Sequence, residues 1–393
     1  MKRRLLTATL LTNVADGMHT LALGKFLFDR TGAVSSFAFV LGFDYLIGVL
    51  SQIYAGPIID RLNPKLVASA AGINRALIMV MLAALALHPG YEATIAVVAL
   101  SALLKVGSHF YKTAAFALVP GVVAKEEQVR YSSLAMLLLQ LGQLLGVGAV
   151  GVLLARLSYS VVFLIDAGLF LATSLILWRL EVSGDPARRA ALVSVSQVIK
   201  DWKELAQGMR RTPSLFVHVA ISTGDLAVMA CLNLILVPLV NSRFGGDAVW
   251  LSGLDGAFAA GAVITFLLAR KGGSPRHLVG FQLLQVLFLT VITVARSRAA
   301  TTASFLGLGA AIGFTNALLT SKLYQRMPPA QKGRISSFRF LLVSIVTVIG
   351  IGGTTKMLSW SAPWGVGFVA GMATLFCLVT LAVGRQAFSE EMS

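Results

Sequence analysis

The sequence predicts an all-α membrane protein: twelve transmembrane helices arranged as two six-helix, pseudo-symmetric bundles. Three observations carry this. The composition is 56% hydrophobic and only 13% charged, with a mean hydropathy of +0.81, whereas an ordinary globular chain carries about 25% charged residues. Apolar runs recur along all 393 residues, each near the roughly 20 residues a helix needs to cross a bilayer. Read as twelve spans with both termini cytoplasmic, about 23 of the 33 Lys and Arg fall on the cytoplasmic side. Six face outward (Arg30, Arg156, Arg243, Arg296, Arg298, Lys356), and Lys25, Arg75, Lys105 and Lys112 lie within spans. This positive-inside bias accounts for the net charge of +16, which in a soluble chain would suggest nucleic acid. No nucleic-acid partner is expected.

The spans follow in order as 5–28, 35–59, 65–87, 92–119, 130–155, 160–180, 213–241, 247–270, 275–296, 300–325, 334–355 and 361–385. Met1-Lys2-Arg3-Arg4 precedes the first, but no small-residue cleavage site follows, and Asp16 and His19 interrupt the apolar run. A retained span is predicted rather than a signal peptide. Asn63-Pro64 marks a tight hairpin between the second and third spans. Outer links such as His88-Pro89-Gly90-Tyr91 and Leu157-Ser158-Tyr159 are short. The long link holds Asp185-Pro186 and Arg210-Arg211 and predicts an amphipathic surface helix over about 193–209. It divides the chain into an N-terminal six-helix bundle (1–180), a cytoplasmic linker (181–212) and a C-terminal six-helix bundle (213–393). Cys231 and Cys377 fall in apolar runs, as packed thiols do.

The halves read as a repeat. Asp16 of the first span is matched by Asp225 of the seventh, and Leu41-Gly42-Phe43-Asp44 by Ser252-Gly253-Leu254-Asp255. Arg130-Tyr131-Ser132-Ser133, opening the fifth span, is matched by Arg334-Ile335-Ser336-Ser337, opening the eleventh. The offsets are 209, 211 and 204 residues. Three echoes in order at near-constant offset argue for duplication.

The most informative stretch is Gly56-Pro57-Ile58-Ile59-Asp60-Arg61-Leu62-Asn63-Pro64-Lys65. A glycine near a helix end admits a neighbouring helix. A carboxylate at the membrane edge can pair with cations or with the positive N-terminus of another helix, a latch able to open. The spacing of Gly56, Asp60, Arg61 and Lys65 resembles the loop between spans 2 and 3 of major facilitator superfamily transporters. Further blocks resemble the macrolide-efflux and enterobactin-exporter branch, of the drug:proton antiporter type. They are Thr31-Gly32, Leu118-Val119-Pro120, Arg130 to Leu134, Leu141-Gly142-Gln143-Leu144-Leu145-Gly146, Phe163-Leu164-Ile165-Asp166-Ala167, Gln325-Arg326-Met327-Pro328 and Gly333 to Ser337. Gly142, Gly146 and Gly151 fit the antiporter signature of the fifth span, while Val147 stands where it has proline and Val150 where it has glycine. Lys112 stands where relatives often carry a proline. The resemblance implies parallel repeats with a solute site near the midplane, lined by spans 1, 4, 7 and 10. It also implies a monomer in a bacterial inner membrane and alternating access driven by protons, without cofactors.

An ionisable side chain at the centre of a span costs about 2.5–3.5 kcal/mol on insertion scales and marks a cavity or a partner. Lys105, His109 and Lys112, at i, i+4 and i+7, lie along one face of the fourth span. Asp16 and His19 give the first span a polar stripe; Asp44, Asp225 and Asp255 sit in the second, seventh and eighth, and Arg75 in the third. Asn233 and Asn316 are candidates for hydrogen bonding to solute. Two readings stay open: the cations attract an anionic solute while carboxylates and His19 exchange protons, or the charges pair with one another to hold the halves together. Lys25 is expected to snorkel, and His218 and Asp166 to be structural.

No Walker-type phosphate loop, His-Glu-x-x-His, Cys/His cluster or Gly-x-Ser-x-Gly occurs in the sequence, so nothing points to ATP hydrolysis or an enzyme. The expected function is proton-coupled export of a small amphipathic or anionic molecule, drug- or siderophore-like. Import of such a solute is the first alternative. Ala15-Asp16-Gly17-Met18-His19, followed by Phe26-Leu27, also resembles the first span of ferroportin-type iron exporters, a second alternative in which Asp16, His19 and Cys231 would be metal ligands. A receptor or scaffold that uses the fold without cycling is a third.

Overall fold

A computed structural model describes the backbone of residues 1–31, 34–88, 91–181, 194–245, 248–269 and 275–388, and the side chains of these except 28, 30, 31, 34–46, 91–94, 248, 249, 251, 252, 266–269, 275, 276 and 383–388. Thirteen α-helices run through it. They are α1 (Lys2–Thr31), α2 (Val34–Arg61), α3 (Pro64–Leu85), α4 (Tyr91–Val122), α5 (Gln128–Leu154), α6 (Tyr159–Trp178), α7 (Val195–Arg211), α8 (Pro213–Phe244), α9 (Ala248–Ala269), α10 (Pro275–Val294), α11 (Arg298–Arg326), α12 (Lys332–Leu358) and α13 (Ala362–Phe388). All but α7 match the predicted spans to within three residues at each end. Among the described residues, nine helices are long and apolar enough to cross a membrane, and the chain is a multi-pass membrane protein. The strongly amphipathic α7 is the predicted surface helix.

Contacts group the chain into two units, residues 1–123, 138–202 and 328–341 in the first and 124–137, 203–327 and 342–393 in the second. In the first, α1 packs on α6, α6 on α3, α3 on α4 and α4 on α2. In the second, α8 packs on α13, α13 on α10, α10 on α11 and α11 on α9. Advancing each label by seven turns one series into the other. The duplication read from scattered residues is therefore also a duplication of packing. Phe26, Met79, Leu82, Leu104, Phe163 and Phe170 are buried in the first unit, and Leu239, Leu254, Leu289, Phe305 and Ile312 in the second.

Lipid is as apolar as leucine, so close fit rather than the hydrophobic effect holds such helices together. The crossing of α1 and α5 shows this. A Cβ placed on Gly17 would meet Gln143 O at 2.6 Å, and one on Gly142 would meet Asn13 Cβ at 2.8 Å. One on Gly146 would strike Val14 O and meet Met18 N at 2.9 Å. Gly151, also matched to the signature, faces open space, and Val147 is exposed.

Helix ends are satisfied by nearby polar groups. The hairpin at 62–63 ends in Asn63, whose side chain accepts from Lys65 N at 2.9 Å and caps α3. The Arg243 guanidinium donates to the carbonyls of Ile292, Thr293 and Ala295 at the end of α10, where the negative end of the helix dipole favours a cation. Lys25 pairs with Asp29 at 2.7 Å on the exposed end of α1, and Tyr159 donates to the same carboxylate. Such exposed pairs contribute little. Lys25→Ala is expected to leave the thermal unfolding of the purified protein unchanged.

Candidate functional site

The polar stripe of α1 meets α3 in the interior of the first unit. Arg75 is fully buried there. Its Nη2 pairs with the Asp16 carboxylate and its Nη1 donates to Thr12 Oγ1 at 3.0 Å. The guanidinium lies over the Phe170 ring of α6 at 3.7 Å and near the Tyr111 ring of α4 at 5.6 Å. Gly107 makes room for it, since a Cβ there would meet Arg75 Cγ at 2.9 Å. A buried arginine holds its charge under all conditions and needs this carboxylate and these π-faces.

Lys112, His19 and Lys105, with Arg75, all act electrostatically on Asp16. Lys105 and His109 are half-buried and Lys112 is exposed on α4, while His19 is buried with its ring 6.5 Å from that of Phe170. His19 of the first span and Lys105 and Lys112 of the fourth thus act on one carboxylate, and His109 is not one of these three. The residue that binds that carboxylate, Arg75, reads in the sequence only as one more charge within a span. Its repeat partner could have marked it. Gln285 stands 210 residues later, next to the 209-residue offset of Asp16 and Asp225.

The second unit holds the matching arrangement with neutral groups. Gln285 Nε2 donates to Asp225 Oδ1 at 3.0 Å, and Thr315 Oγ1 donates to Asp225 Oδ2 at 2.7 Å. Gln285 on α10 takes the place that Arg75 has on α3, and Thr315 on α11 adds a second donor to the carboxylate. Neither was read from the sequence as a candidate. Asn316 contacts Met136 Sδ at 3.8 Å and accepts from Thr320 Oγ1 at 3.4 Å. Asn233 is exposed and Asp255 half-buried. His218 is fully buried, with Nε2 2.8 Å from Leu319 O. Cys231 is a buried free thiol close to Gly350 and Met372. The side chain of Asp44 lies outside the described residues. Among the described residues no group of three or more His, Cys, Asp and Glu could hold a metal ion.

The residues of the hairpin form a third site, contained in the first unit. Asp60 accepts from Gly333 N at 2.5 Å, Arg334 N at 3.2 Å and Arg334 Nε at 2.8 Å, so it caps α12 with charge at the dipole's positive end. The backbones touch through glycines. A Cβ on Gly56 would meet Arg334 Cα at 2.8 Å, and one on Gly333 would meet Gly56 O at 2.6 Å. Asp60 is nearly buried, which raises its pKa, and the Arg334 guanidinium and the Gly333 N–H oppose that rise. Arg61 pairs with Asp201 of α7 at 2.6 Å, and Arg334 Nη1 donates to Asp201 O at 3.3 Å. Trp202 Nε1 donates to Ile53 O at 2.9 Å, and Lys65 Nζ to Leu180 O at 3.0 Å. Asp201 and Trp202 are members that the sequence did not mark; their α7 helix only joins the site once folded against α2. Removing one charge-assisted partner costs about 1.5–3 kcal/mol. Asp60→Asn and Arg334→Ala should each lower thermal stability by that order, and the double variant by little more than either alone.

No curated protein matches the sequence. Among solved structures, a bacterial homologue of the iron transporter ferroportin, in an outward-facing state, superposes with a TM-score of 0.79 at 15% identity, covering 98% of this chain and 99% of that one. The fucose:proton symporter of E. coli gives 0.73 at 16% identity over 97% of both chains. The human organic anion transporter MFSD10 gives 0.77 at 15% identity over 96% of this chain and 99% of that one. At these identities the likeness is one of fold. The model of the Major Facilitator Superfamily matches residues 5–351, and the chain belongs to that superfamily of membrane transporters.

Proposed function

We propose that the protein is a proton-coupled secondary transporter, an exporter, of a small anionic or amphipathic organic molecule of the drug- or siderophore-like kind. The observation that carries this reading is the Asp16 carboxylate held by buried Arg75 and acted on by Lys105, Lys112 and His19. A cation-rich surround of one carboxylate, in a medium of low dielectric, attracts anions strongly. It also makes protonation of that carboxylate a change in the charge that a solute meets. The hairpin latch at Asp60 supplies a contact whose release accompanies alternating access. A bacterial inner membrane with both termini cytoplasmic and a monomeric state belong to the same reading.

The ferroportin-like fold raises a divalent metal as cargo, but Asp16 is committed to a guanidinium, and the lysines of α4 oppose a cation. The test is flux in proteoliposomes with an imposed pH gradient, using fluorescent carboxylate and catecholate probes. Asp16→Asn is expected to abolish gradient dependence, and Lys105→Ala to raise the KM for the anion about tenfold, as loss of a contact of about 1.4 kcal/mol does. Unchanged flux in both variants, or flux of iron(II) in place of anions, overturns the reading.

A further inference from the structure

Asp166, on α6, lies one turn before Phe170, the ring that carries the Arg75 guanidinium. It is fully buried, and neither carboxylate oxygen has a hydrogen-bond partner among the described residues. Arg75 has an unmatched group of the opposite kind: its Nε is buried without a hydrogen-bond partner. One cluster therefore holds an idle donor on the guanidinium and two idle acceptors on a second carboxyl. Among the described residues, the helices packed closely on α6 are α1 and α3. They present Asp16 and His19 from α1 and Arg75 from α3, and the charges that reach Asp166 are those of Arg75 and Asp16.

Charge balance then constrains the cluster. An ionised carboxylate with no hydrogen bond in an apolar interior is costly and takes a proton instead. Arg75 cannot give one up. Lys105, Lys112 and His19 act on Asp16, whereas Arg75 is the cation that acts on Asp166; with Asp16 ionised and paired to that guanidinium, Asp166 lacks a counter-ion and is neutral. When Asp16 takes a proton, the guanidinium loses its partner and the carboxyl one turn from Phe170 is the group left to replace it.

We propose that Asp166 is a proton-binding site, exchanging one proton with Asp16 while both compete for Arg75 as counter-ion. Two carboxyls that share one proton titrate as a pair. The exchange gives the proton a second buried position beyond Asp16. The proposal deepens the proton-coupled reading above and rests on it for the use made of the proton.

The experiment is infrared difference spectroscopy of the purified full chain, titrated with acid in H2O and D2O without any solute, reading the protonated-carboxyl C=O band. The parent is expected to show the band at neutral pH, and Asp166→Asn, which has nearly the shape of the neutral acid, to lose it. Asp166→Glu is expected to keep a band at a shifted position, which secures the assignment if the asparagine variant folds poorly. In Asp16→Asn the only carboxyl left for Arg75 is Asp166, so its band is expected to vanish at neutral pH and return on acidification. A band that survives Asp166→Asn, or one that Asp16→Asn leaves in place, overturns the proposal, the latter because it makes Asp166 a neutral packing group. The spectra and the flux assay separate the two ideas. Exchange without gradient-driven flux removes the transport reading alone, and gradient-driven flux with an unmoved band removes this proposal alone.

Discussion

Arg75→Leu is expected to destabilise the purified protein by about 3–5 kcal/mol, the usual cost of breaking a buried ion pair from one side, and to abolish transport. The carboxylate of Asp16 would remain in an apolar interior without the guanidinium that now meets it. Phe170 and Tyr111 would lose a cation and keep a gap. The informative variant is the double one. Asp16→Asn with Arg75→Leu removes both charges together, so much of the stability is expected to return while transport does not. Thermal unfolding in one detergent, for the two single variants and the double, reads this as a coupling energy. If the effects simply add, the pair does not hold the first unit in the way its geometry indicates.

Gly146→Leu is expected to prevent folding of the first unit, whereas Gly148→Leu should be tolerated. The two positions are a half-turn apart on α5 and carry the same residue. A side chain at Gly146 would run into the α1 backbone at Val14 and Met18, and nothing lies within 4 Å of the Cβ position of Gly148. Overpacking a well-fitted contact typically costs about 1–3 kcal/mol. Here the obstacle is main chain, which cannot move aside as a flexible side chain can, so the upper end or more is expected. Gly142→Leu should resemble Gly146→Leu, since its Cβ would meet Leu10 O at 3.0 Å. Yield of monodisperse protein and its unfolding temperature check the series. Equal behaviour at Gly146 and Gly148 would show that the crossing of α1 and α5 does not depend on the absence of a side chain at Gly146.

The helices were legible in the sequence because a membrane span is a local property. Length and apolarity suffice to define it, and the turn chemistry of Asn63-Pro64 and the charges around 181–212 punctuate it. The repeat was legible for a related reason: duplication leaves Asp16 and Asp225, or Arg130 and Arg334, at a constant offset that folding does not alter. Gly142 and Gly146 could be read as small-residue contacts, yet not that Gly151 of the same motif would face open space.

Partnership is where local reading stopped. Arg75 and Asp16 are 59 residues apart and Asp225 and Thr315 are 90 apart, so only the packing of α1 and α3 on α6, and of α11 on α8, brings them within reach. Asp60 could be assigned a helix N-terminus as partner from its place at the membrane edge, but which helix was settled by the approach of α12 through Gly333. Asp166 illustrates the same limit most plainly. As a letter it is one acidic residue in an apolar span, and its meaning comes from an arginine on another helix that lies over Phe170, one turn away. A duplicated set of membrane helices with charges inside it can be read from local residue pattern; which of those charges face each other follows from packing, because ion pairing depends on separation in space and not along the chain.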